Sequence, residues 1–213
     1  MRVLYHFEMS VFSRRTRLAL AHKGLEVTLR DARTDPANLT AVREVCPLRT
    51  LPVLVDEGRA IGDSGAIAHY LDLAYPDRPS LWPRSPAAAQ EALSITTAID
   101  VAMNALVDMG TRYWDLRGDL AWERVVGERM TRARLAIESV AAKAKGPILA
   151  GDSWGAAEIW TLAAVRWVTS LPGRVKTAPH VAPLIELGLE IPEPLVGWAA
   201  QHGERPEVRA IYG

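Results

Sequence analysis

The sequence contains a single cysteine, Cys46, among its 213 residues. One thiol forms no intramolecular disulfide, and a zinc site built from several cysteines is excluded. A reducing compartment fits this composition. We expect no signal peptide, because the start MRVLYHFEM is too polar and its apolar run is too short. The cytoplasm is therefore the expected location.

The chain also lacks an excess of either charge, with 25 Lys and Arg residues against 25 Asp and Glu residues. This balance disfavours nucleic acid as the main partner, because phosphate binding requires a basic surface. The most apolar long stretch, residues 154–171, contains Glu158 and Arg166, so it predicts a buried core helix and no membrane partner. Hydrophobic residues make up 49% of the chain, as in a globular protein able to bury a core.

The first 75 residues predict a small α/β unit. Strands are indicated at residues 2–6 and 25–30, and a hairpin at residues 53–55 and 60–61 with Glu57-Gly58 between them. A first helix follows the first strand and ends at Gly24, and a short helix is predicted over residues 36–45. A last helix has its apolar face at Ile67, Tyr70, Leu71 and Ala74.

A proline-rich segment then separates this unit from a helical remainder. Prolines at positions 76, 79, 83 and 86 make a continuous helix unfavourable there. Long helices are predicted over residues 87–114 and 120–145, and a third has Trp160, Ala163, Ala164, Trp167 and Leu171 on one face. We therefore predict a domain at 1–77, a linker at 78–86 and an all-helical domain at 87–213.

Three short segments of the first domain contain residues that could bind a ligand or take part in catalysis. Ser10 and Ser13 flank the predicted start of the first helix, where a hydroxyl and the helix dipole can stabilise a thiolate, although either serine can equally be a helix cap. Pro52 enters a strand and leaves a backbone edge free; a trans bond is expected from this tetrapeptide alone. Asp63 and Ser64 lie at the start of a helix. They can cap this helix, or they can bind an ammonium and a carboxylate of one ligand.

Taken together, these segments resemble the glutathione transferase superfamily. TLPVLVDEGRAIGDSGAIAHYLD is similar to its glutathione-binding half, and SVFSRRTRLALAHKGL to its first helix, especially in bacterial, theta-like and zeta-like members of the serine type. The resemblance continues to GDSWGAAEIW and RPEVRAIYG, and it is most specific at positions 48–75. It implies a thioredoxin-like N-terminal α/β domain followed by an all-α C-terminal domain.

The resemblance also implies a glutathione site. Leu51, Pro52 and Val53 match the family's cis-proline motif, in which the residue at Leu51 pairs its backbone with the cysteinyl part of glutathione. Asp63 and Ser64 match the residues that hold the γ-glutamyl end. Further expected contacts are Arg49, near the glycyl carboxylate, and Asp100, which in several classes reaches across a homodimer; a plain exposed charge is the alternative for both.

For the thiol, the serine-type members match Ser10 as the activating residue. Ser13 and Tyr5 are the alternatives, and Cys46 is interpreted as a small buried residue. The second-substrate pocket is expected to contain Phe7, Met9, Phe12, Met103 and Val107, of which Met103 and Val107 can instead be simple core. The buried sixth helix departs from the family pattern at Gly155 and Glu158, and we expect Glu158 to reach back and cap it.

The implied function is conjugation of glutathione to a hydrophobic electrophile, as in detoxification, with no metal. One alternative is a glutathione-dependent isomerase of the maleylacetoacetate type. The sequence disfavours it, because Val11 and Phe12 occupy positions at which the zeta signature has a serine and a cysteine. The other is a non-catalytic binding or regulatory protein, since a fold alone does not fix a function. The resemblance further implies a homodimer.

Overall fold

The computed structural model describes residues 1–176 and 178–213, without the side chains of Trp114 and His180. The elements of its N-terminal part are β1 (Arg2–His6), α1 (Val11–His22), β2 (Thr28–Asp31), α2 (Pro36–Val45), β3 (Val53–Asp56), β4 (Arg59–Gly62) and α3 (Ser64–Ala74). The strands form one four-stranded sheet in the order β2-β1-β3-β4. Strand β1 pairs parallel with β2 and antiparallel with β3, and β3 pairs antiparallel with β4. This is the thioredoxin-like βαβαββα arrangement that the sequence predicts.

The C-terminal part is helical, and no strand occurs among its described residues. The helices are α4 (Pro86–Leu116), α5 (Leu120–Ala141), α6 (Ala156–Thr169), α7 (Leu171–Arg174), α8 (Ala182–Glu186), α9 (Glu193–Gln201) and α10 (Pro206–Tyr212). The two longest, α4 and α5, pack against each other, and α6 is almost completely enclosed between α1, α4 and α9. A 3-10 turn at Pro179–Val181 precedes α8.

One stretch of α4 is long and apolar enough to cross a membrane, judged by length and composition alone. This stretch, Pro86–Tyr113, has a mean hydropathy of 1.3 in its most apolar window, and 44% of that window is buried within the protein. Ile95, Ile99, Met103 and Leu106 of the same helix belong to the protein core and are at most 2% exposed. A core helix of this kind meets the same criteria.

Several predicted boundaries need correction. The second strand lies at Thr28–Asp31, later than the predicted residues 25–30, and α5 ends at Ala141 rather than at residue 145. Leu171 starts α7 and does not continue α6, and Ala74 is exposed although Ile67 and Leu71 on the same helix are fully buried. The peptide bond before Pro52 is cis, so the trans bond expected from the tetrapeptide alone is wrong.

A carboxylate in α3 fastens the linker to the first domain. Asp72 accepts hydrogen bonds from Lys23 Nζ at 2.7 Å and from the backbone N–H groups of Leu81 and Trp82, each at 3.0 Å or less. Lys23 is 1% exposed and also donates to the Pro79 carbonyl at 3.1 Å. Burial would raise the pKa of Asp72, but these hydrogen bonds outweigh it and hold the pKa below its usual range.

The start of α6 is capped by a buried carboxylate of the helix itself. Glu158 is buried, and its carboxylate accepts hydrogen bonds from the N–H groups of Gly155 at 2.8 Å, Leu149 at 2.7 Å and Ala150 at 3.2 Å. The prediction that Glu158 reaches back to cap the helix is therefore confirmed. Trp160 and Trp167 are buried in the core, as expected.

Candidate functional site

A cavity of about 330 Å³ lies where the cis-proline loop, the start of α3 and the side of α4 meet. Its walls come from both domains, so the domain junction creates the site. The lining residues are Phe12, Arg15, Leu48, Thr50, Leu51, Pro52, Asp63, Ser64, Asp100 and Asn104.

The loop before β3 forms one wall. Pro52 follows a cis bond, and Val53 begins the strand by pairing with Tyr5 on one side and Gly62 on the other. No turn or loop hydrogen bond among the described residues uses the backbone of Leu51. The peptide groups at Leu51 can therefore pair with an extended ligand in the way a strand edge does.

Asp63 and Ser64 form the opposite wall at the start of α3. Asp63 has a φ of 72°, and its Oδ1 accepts hydrogen bonds from the N–H groups of Gly65 at 2.8 Å and Ala66 at 3.0 Å. The same exposed carboxylate lines the cavity. Capping and ligand binding are thus compatible, because a carboxylate has more acceptor sites than its cap uses.

Arg15 lies beneath this wall and was missed as a site residue. It is 2% exposed; its Nε donates to Ser64 Oγ at 2.8 Å, and its Nη1 donates to Asp100. The guanidinium lies 4.9 Å from the Phe12 ring centre and 4.3 Å from that of Trp160. Burial lowers the pKa of Arg15, and the Asp100 carboxylate opposes that shift. Arg15 therefore fixes Ser64 and Asp100 in position and links the two domains.

A signal for Arg15 was present in the sequence. Val11, Arg15, Leu18 and Ala19 follow the i, i+4, i+7, i+8 spacing of a buried helix stripe, and all four are at most 2% exposed. A charged residue on such a stripe needs a buried partner. Asn104, one turn after Asp100 in α4, was also missed and lines the cavity.

The three candidate hydroxyls occupy different environments. Ser10 is the half-buried N-cap of α1, and its Oγ accepts a hydrogen bond from Ser13 N–H at 3.4 Å. Ser13 is fully buried, and its Oγ accepts a hydrogen bond from Phe7 N–H at 3.1 Å. Tyr5 packs beside the small buried cluster of β3 and α2 that includes Cys46. None of the three hydroxyl-bearing residues lines the cavity itself, but Phe12, two residues after Ser10, does.

The other predicted contacts are only partly brought together. Asp100 lines the cavity and is bound to Arg15 of its own chain, whereas Arg49 is exposed, has a φ of 53° and lies outside the cavity lining. Val53 is buried in β3.

Of the five residues predicted for the second substrate, only Phe12 lines the cavity. Met103 is 0% exposed and belongs to the core, which is the alternative that the sequence left open for it. Val107 is half-buried against the same core. Phe7 and Met9 lie half-buried in the loop before α1.

The side chains that could bind a metal are dispersed. Cys46 is buried, as predicted, and within the part of the chain that the structure describes no group of three or more His, Cys, Asp or Glu side chains could hold a metal ion.

Comparison with known proteins gives the family of this chain. Residues 4–79 match the family described as "Glutathione S-transferase, N-terminal domain". A probable glutathione S-transferase GSTU1 from rice, Oryza sativa subsp. japonica, is 36% identical over 121 residues, which cover 55% of this chain and 52% of the rice protein. The chain thus spans about half the length of this rice relative.

Two further likenesses extend over more of the chain. A crystal structure of a glutathione S-transferase from Methylobacterium radiotolerans in complex with glutathione sulfonate superposes with a TM-score of 0.78 at 21% identity, covering 98% of this chain and 93% of that one, which shows the shared fold. Glutathione S-transferase Z1 from Arabidopsis thaliana is 32% identical over 161 residues, which cover 70% of this chain and 69% of the plant protein. By this likeness, together with the thioredoxin-like and helical domains, the chain belongs to the glutathione S-transferase superfamily.

Proposed function

We propose that this protein is a serine-type glutathione transferase, which binds glutathione in the cavity between the cis-proline loop and α3 and conjugates its thiolate to a hydrophobic electrophile. The observation that supports this most directly is that one cavity contains the free backbone edge at Leu51, the carboxylate of Asp63 and the hydroxyl-bearing start of α3 at Ser64. These groups are complementary to a peptide backbone, an ammonium and a carboxylate, respectively.

In the proposed complex, Leu51 pairs with the cysteinyl backbone and the Asp63 carboxylate binds the γ-glutamyl ammonium. The γ-glutamyl carboxylate meets Ser64 and the positive end of α3, supported by the buried Arg15. Pro52 and Val53 hold the loop in place, and Asp100 keeps Arg15 oriented. Arg49 remains a proposed contact for the glycyl carboxylate, which requires a movement of its exposed side chain.

Ser10 is the proposed activator of the thiol. Its Oγ already accepts a hydrogen bond from Ser13 N–H, so its own hydroxyl hydrogen is available to a thiolate at the start of α1. That hydrogen bond and the helix dipole lower the thiol pKa, and the thiol proton passes to solvent. The sulfur then attacks an electrophilic carbon; with an aryl chloride, the C–S bond forms and chloride leaves with the bonding electrons.

Ser10 is preferred over the other two hydroxyls for structural reasons. Ser13 is 0% exposed, so its hydroxyl is less accessible to a ligand thiol than that of Ser10, and Tyr5 packs on the α2 side of the sheet. Assignment to the serine-type, theta-like or zeta-like members is part of the proposal, as are a homodimer, a cytoplasmic location and a role in detoxification.

Two helix-capping aspartates provide a matched test of glutathione binding. Asp63 caps α3 inside the cavity, and Asp35 caps α2 outside it by accepting from Ala37 N–H at 2.9 Å. Because asparagine caps helices as well as aspartate, both Asp→Asn variants should keep their helices. We expect Asp63→Asn to weaken glutathione binding about tenfold, through the lost ammonium contact, and Asp35→Asn to leave it unchanged.

The measurements are calorimetric titration with glutathione and conjugation of 1-chloro-2,4-dinitrobenzene. Failure of glutathione to bind the unaltered protein would refute the proposed site. Binding without any conjugation or maleylacetoacetate isomerisation would support the non-catalytic alternative.

A further inference from the structure

Two arginines from different helices meet at Tyr212 of the C-terminal helix α10, and a third arginine lies near enough for its charge to interact with one of them. Arg14 of α1 lies 5.0 Å from the ring centre of Tyr212, and Arg166 of α6 lies 6.0 Å from it. Arg174 of α7 is 8% exposed and lies 5.7 Å from the ring of Trp167. Burial lowers the pKa of Arg174, and the positive charge of Arg14 lowers it further, so these charges act on one another. We call Arg14, Arg166, Arg174 and Tyr212 the arginine cluster.

Two members of the arginine cluster, Arg14 and Arg166, have no ion-pair partner among the described residues. The neighbouring carboxylate, Glu8, is engaged by Arg17 at 2.6 Å. Arg14 donates instead to the backbone carbonyl of Glu8 at 2.9 Å. Partly buried cations without a counter-charge favour binding of an anion.

Two enclosed donors in the arginine cluster also lack partners. Within the described part of the chain, neither Arg166 Nε nor the Tyr212 hydroxyl has a hydrogen-bond partner. Burial raises the pKa of Tyr212 to about 12, so this hydroxyl stays protonated at neutral pH and can donate. Each of these enclosed donors can be satisfied by an acceptor that a ligand supplies.

The arginine cluster adjoins the proposed thiol site and has room beside it. Arg14 N–H donates to the Ser10 carbonyl at 2.9 Å, and its Nη2 lies 3.5 Å from Met9 Sδ. Arg166 and Tyr212 line an open cavity of about 530 Å³ between α6, α9 and α10. Its other walls include Val165, Val196 and Ala199 together with the ion pair of Glu204 and Arg209, so an apolar body can lie next to the Arg166 guanidinium.

We infer that the electrophile carries a carboxylate, which Arg14 and Arg166 bind with the Tyr212 hydroxyl as a further donor. This inference rests on the proposed function, because it concerns the second substrate of the same site. It narrows the substrate class from hydrophobic electrophiles in general to amphipathic acids whose reactive carbon lies near the Ser10 end of α1.

A pair of glutathione conjugates that differ in one charge tests the inference. S-(4-carboxybenzyl)glutathione has the carboxylate, and S-(4-carbamoylbenzyl)glutathione has an amide of the same shape. Calorimetric titration of the full chain should show the carboxylate binding about ten- to a hundredfold more tightly, the range for one or two charge-assisted hydrogen bonds. Raising the ionic strength should reduce this preference.

Variants of the arginine cluster test whether it causes the tighter binding of the carboxylate conjugate. In Arg166→Gln the carboxylate-to-amide affinity ratio should fall about tenfold, and Arg166→Lys should restore part of it by restoring the charge. Arg14→Gln provides a second variant if Arg166→Gln does not fold. Arg124→Gln, at an exposed position of α5, is the matched control and should keep the ratio of the unaltered protein.

The outcomes separate this inference from the proposed function. Equal affinities for the two conjugates, or a preference that salt and both glutamine variants leave intact, would overturn the carboxylate assignment while glutathione binding stands. If glutathione binds but neither conjugate does, the site does not accept such an electrophile and the assignment is again wrong. If neither the conjugates nor glutathione bind, the proposed function itself fails.

Discussion

At the residue scale, two serines one helical turn apart have different roles because their surroundings differ. Ser10 is half-buried at the N-cap of α1 and has a long hydrogen bond of 3.4 Å from Ser13 N–H. Ser13 is fully buried and satisfies Phe7 N–H at 3.1 Å. One hydroxyl is therefore free to meet a ligand, and the other holds the loop between β1 and α1 in place.

We predict that one of the two alanine substitutions mainly lowers activity and that the other mainly lowers stability. Ser10→Ala should lower kcat/KM for conjugation about ten- to a hundredfold, because one donor to the thiolate is lost, and should raise the pKa of bound thiol toward about 8.5. Ser13→Ala should cost about 1–3 kcal/mol of unfolding free energy by leaving Phe7 N–H unpaired, with a smaller effect on the thiol pKa.

A pH–rate profile and the ultraviolet absorbance of the bound thiolate measure the first effect, and thermal unfolding measures the second. A Ser10→Ala protein with an unchanged profile would exclude this serine as the activator. The same data on Tyr5→Phe would show whether the tyrosine takes that role.

Residue patterns predicted the residues that line the candidate site better than the buried arginine that holds them in position. Asp63, Ser64 and Pro52 were accessible to sequence reasoning because each belongs to a local motif, a helix start or a strand entry. Arg15 was not recognised, because its partners lie 49 and 85 residues further along the chain. For Met103 the sequence left a pocket wall and the core as alternatives, because an apolar side chain on a helix fits both until the packing is known; it lies in the core.

At the scale of elements, the start of α6 explains why glycine replaces the usual capping side chain. Ala156 N–H donates to the Leu81 carbonyl at 2.7 Å, which brings the linker against the helix. A Cβ added at Gly155 would lie 2.5 Å from that carbonyl oxygen. Glycine is therefore required by the close approach of the linker, and Glu158 supplies the cap from inside the helix.

Two Gly→Ala substitutions test this requirement. Gly155→Ala should destabilise the protein by about 1–3 kcal/mol, because the linker carbonyl and the helix must move apart. Gly127→Ala is the control: Gly127 is exposed within α5 and a Cβ there meets nothing within 4 Å. It should stabilise the protein by about 0.5–1 kcal/mol, as alanine does in a helix interior. Urea unfolding of both variants measures the difference, and equal effects would contradict the steric explanation.

Element types were easier to predict than element ends. Periodicity and the cap residues identified α1, α2 and α3 with little error, because helix starts have local signals. The second strand was placed too early, because all of β2 except Asp31 is exposed and the register is set by pairing with β1 rather than by its own pattern. Likewise α5 ends before the predicted Gly-Pro stop: Val140 in its last turn is buried in the core, whereas Ala142, Lys143 and Lys145 after it are exposed.

At the scale of the whole molecule, one ion pair fastens the linker between the domains. Lys23 is enclosed, and Asp72 is its only carboxylate partner among the described residues. Asp72 in turn holds the backbone of Leu81, whose carbonyl contacts α6. Asp72 thus connects the first domain to α6 through the linker, in addition to the link that Arg15 makes through Asp100.

This arrangement predicts a specific acid sensitivity. The folded-state pKa of Asp72 is lowered, so its contribution to stability is fully present above the unfolded value of about 3.9 and is lost as the pH falls through the folded value below it. Asp72→Asn should cost about 3 kcal/mol at neutral pH, because Lys23 stays buried without a counter-charge, and should flatten the loss of stability in acid.

Asp77→Asn, at an exposed position of the same linker region, is the control and should stay within about 0.5 kcal/mol of the unaltered protein at every pH. Denaturant unfolding measured at a series of pH values gives these curves. If Asp72→Asn lost stability in acid as steeply as the unaltered protein, other carboxylates would govern the acid transition. In that case the domain junction would depend on the apolar contacts of Leu81 and Trp82 rather than on the ion pair, since these two residues also pack against the shared core.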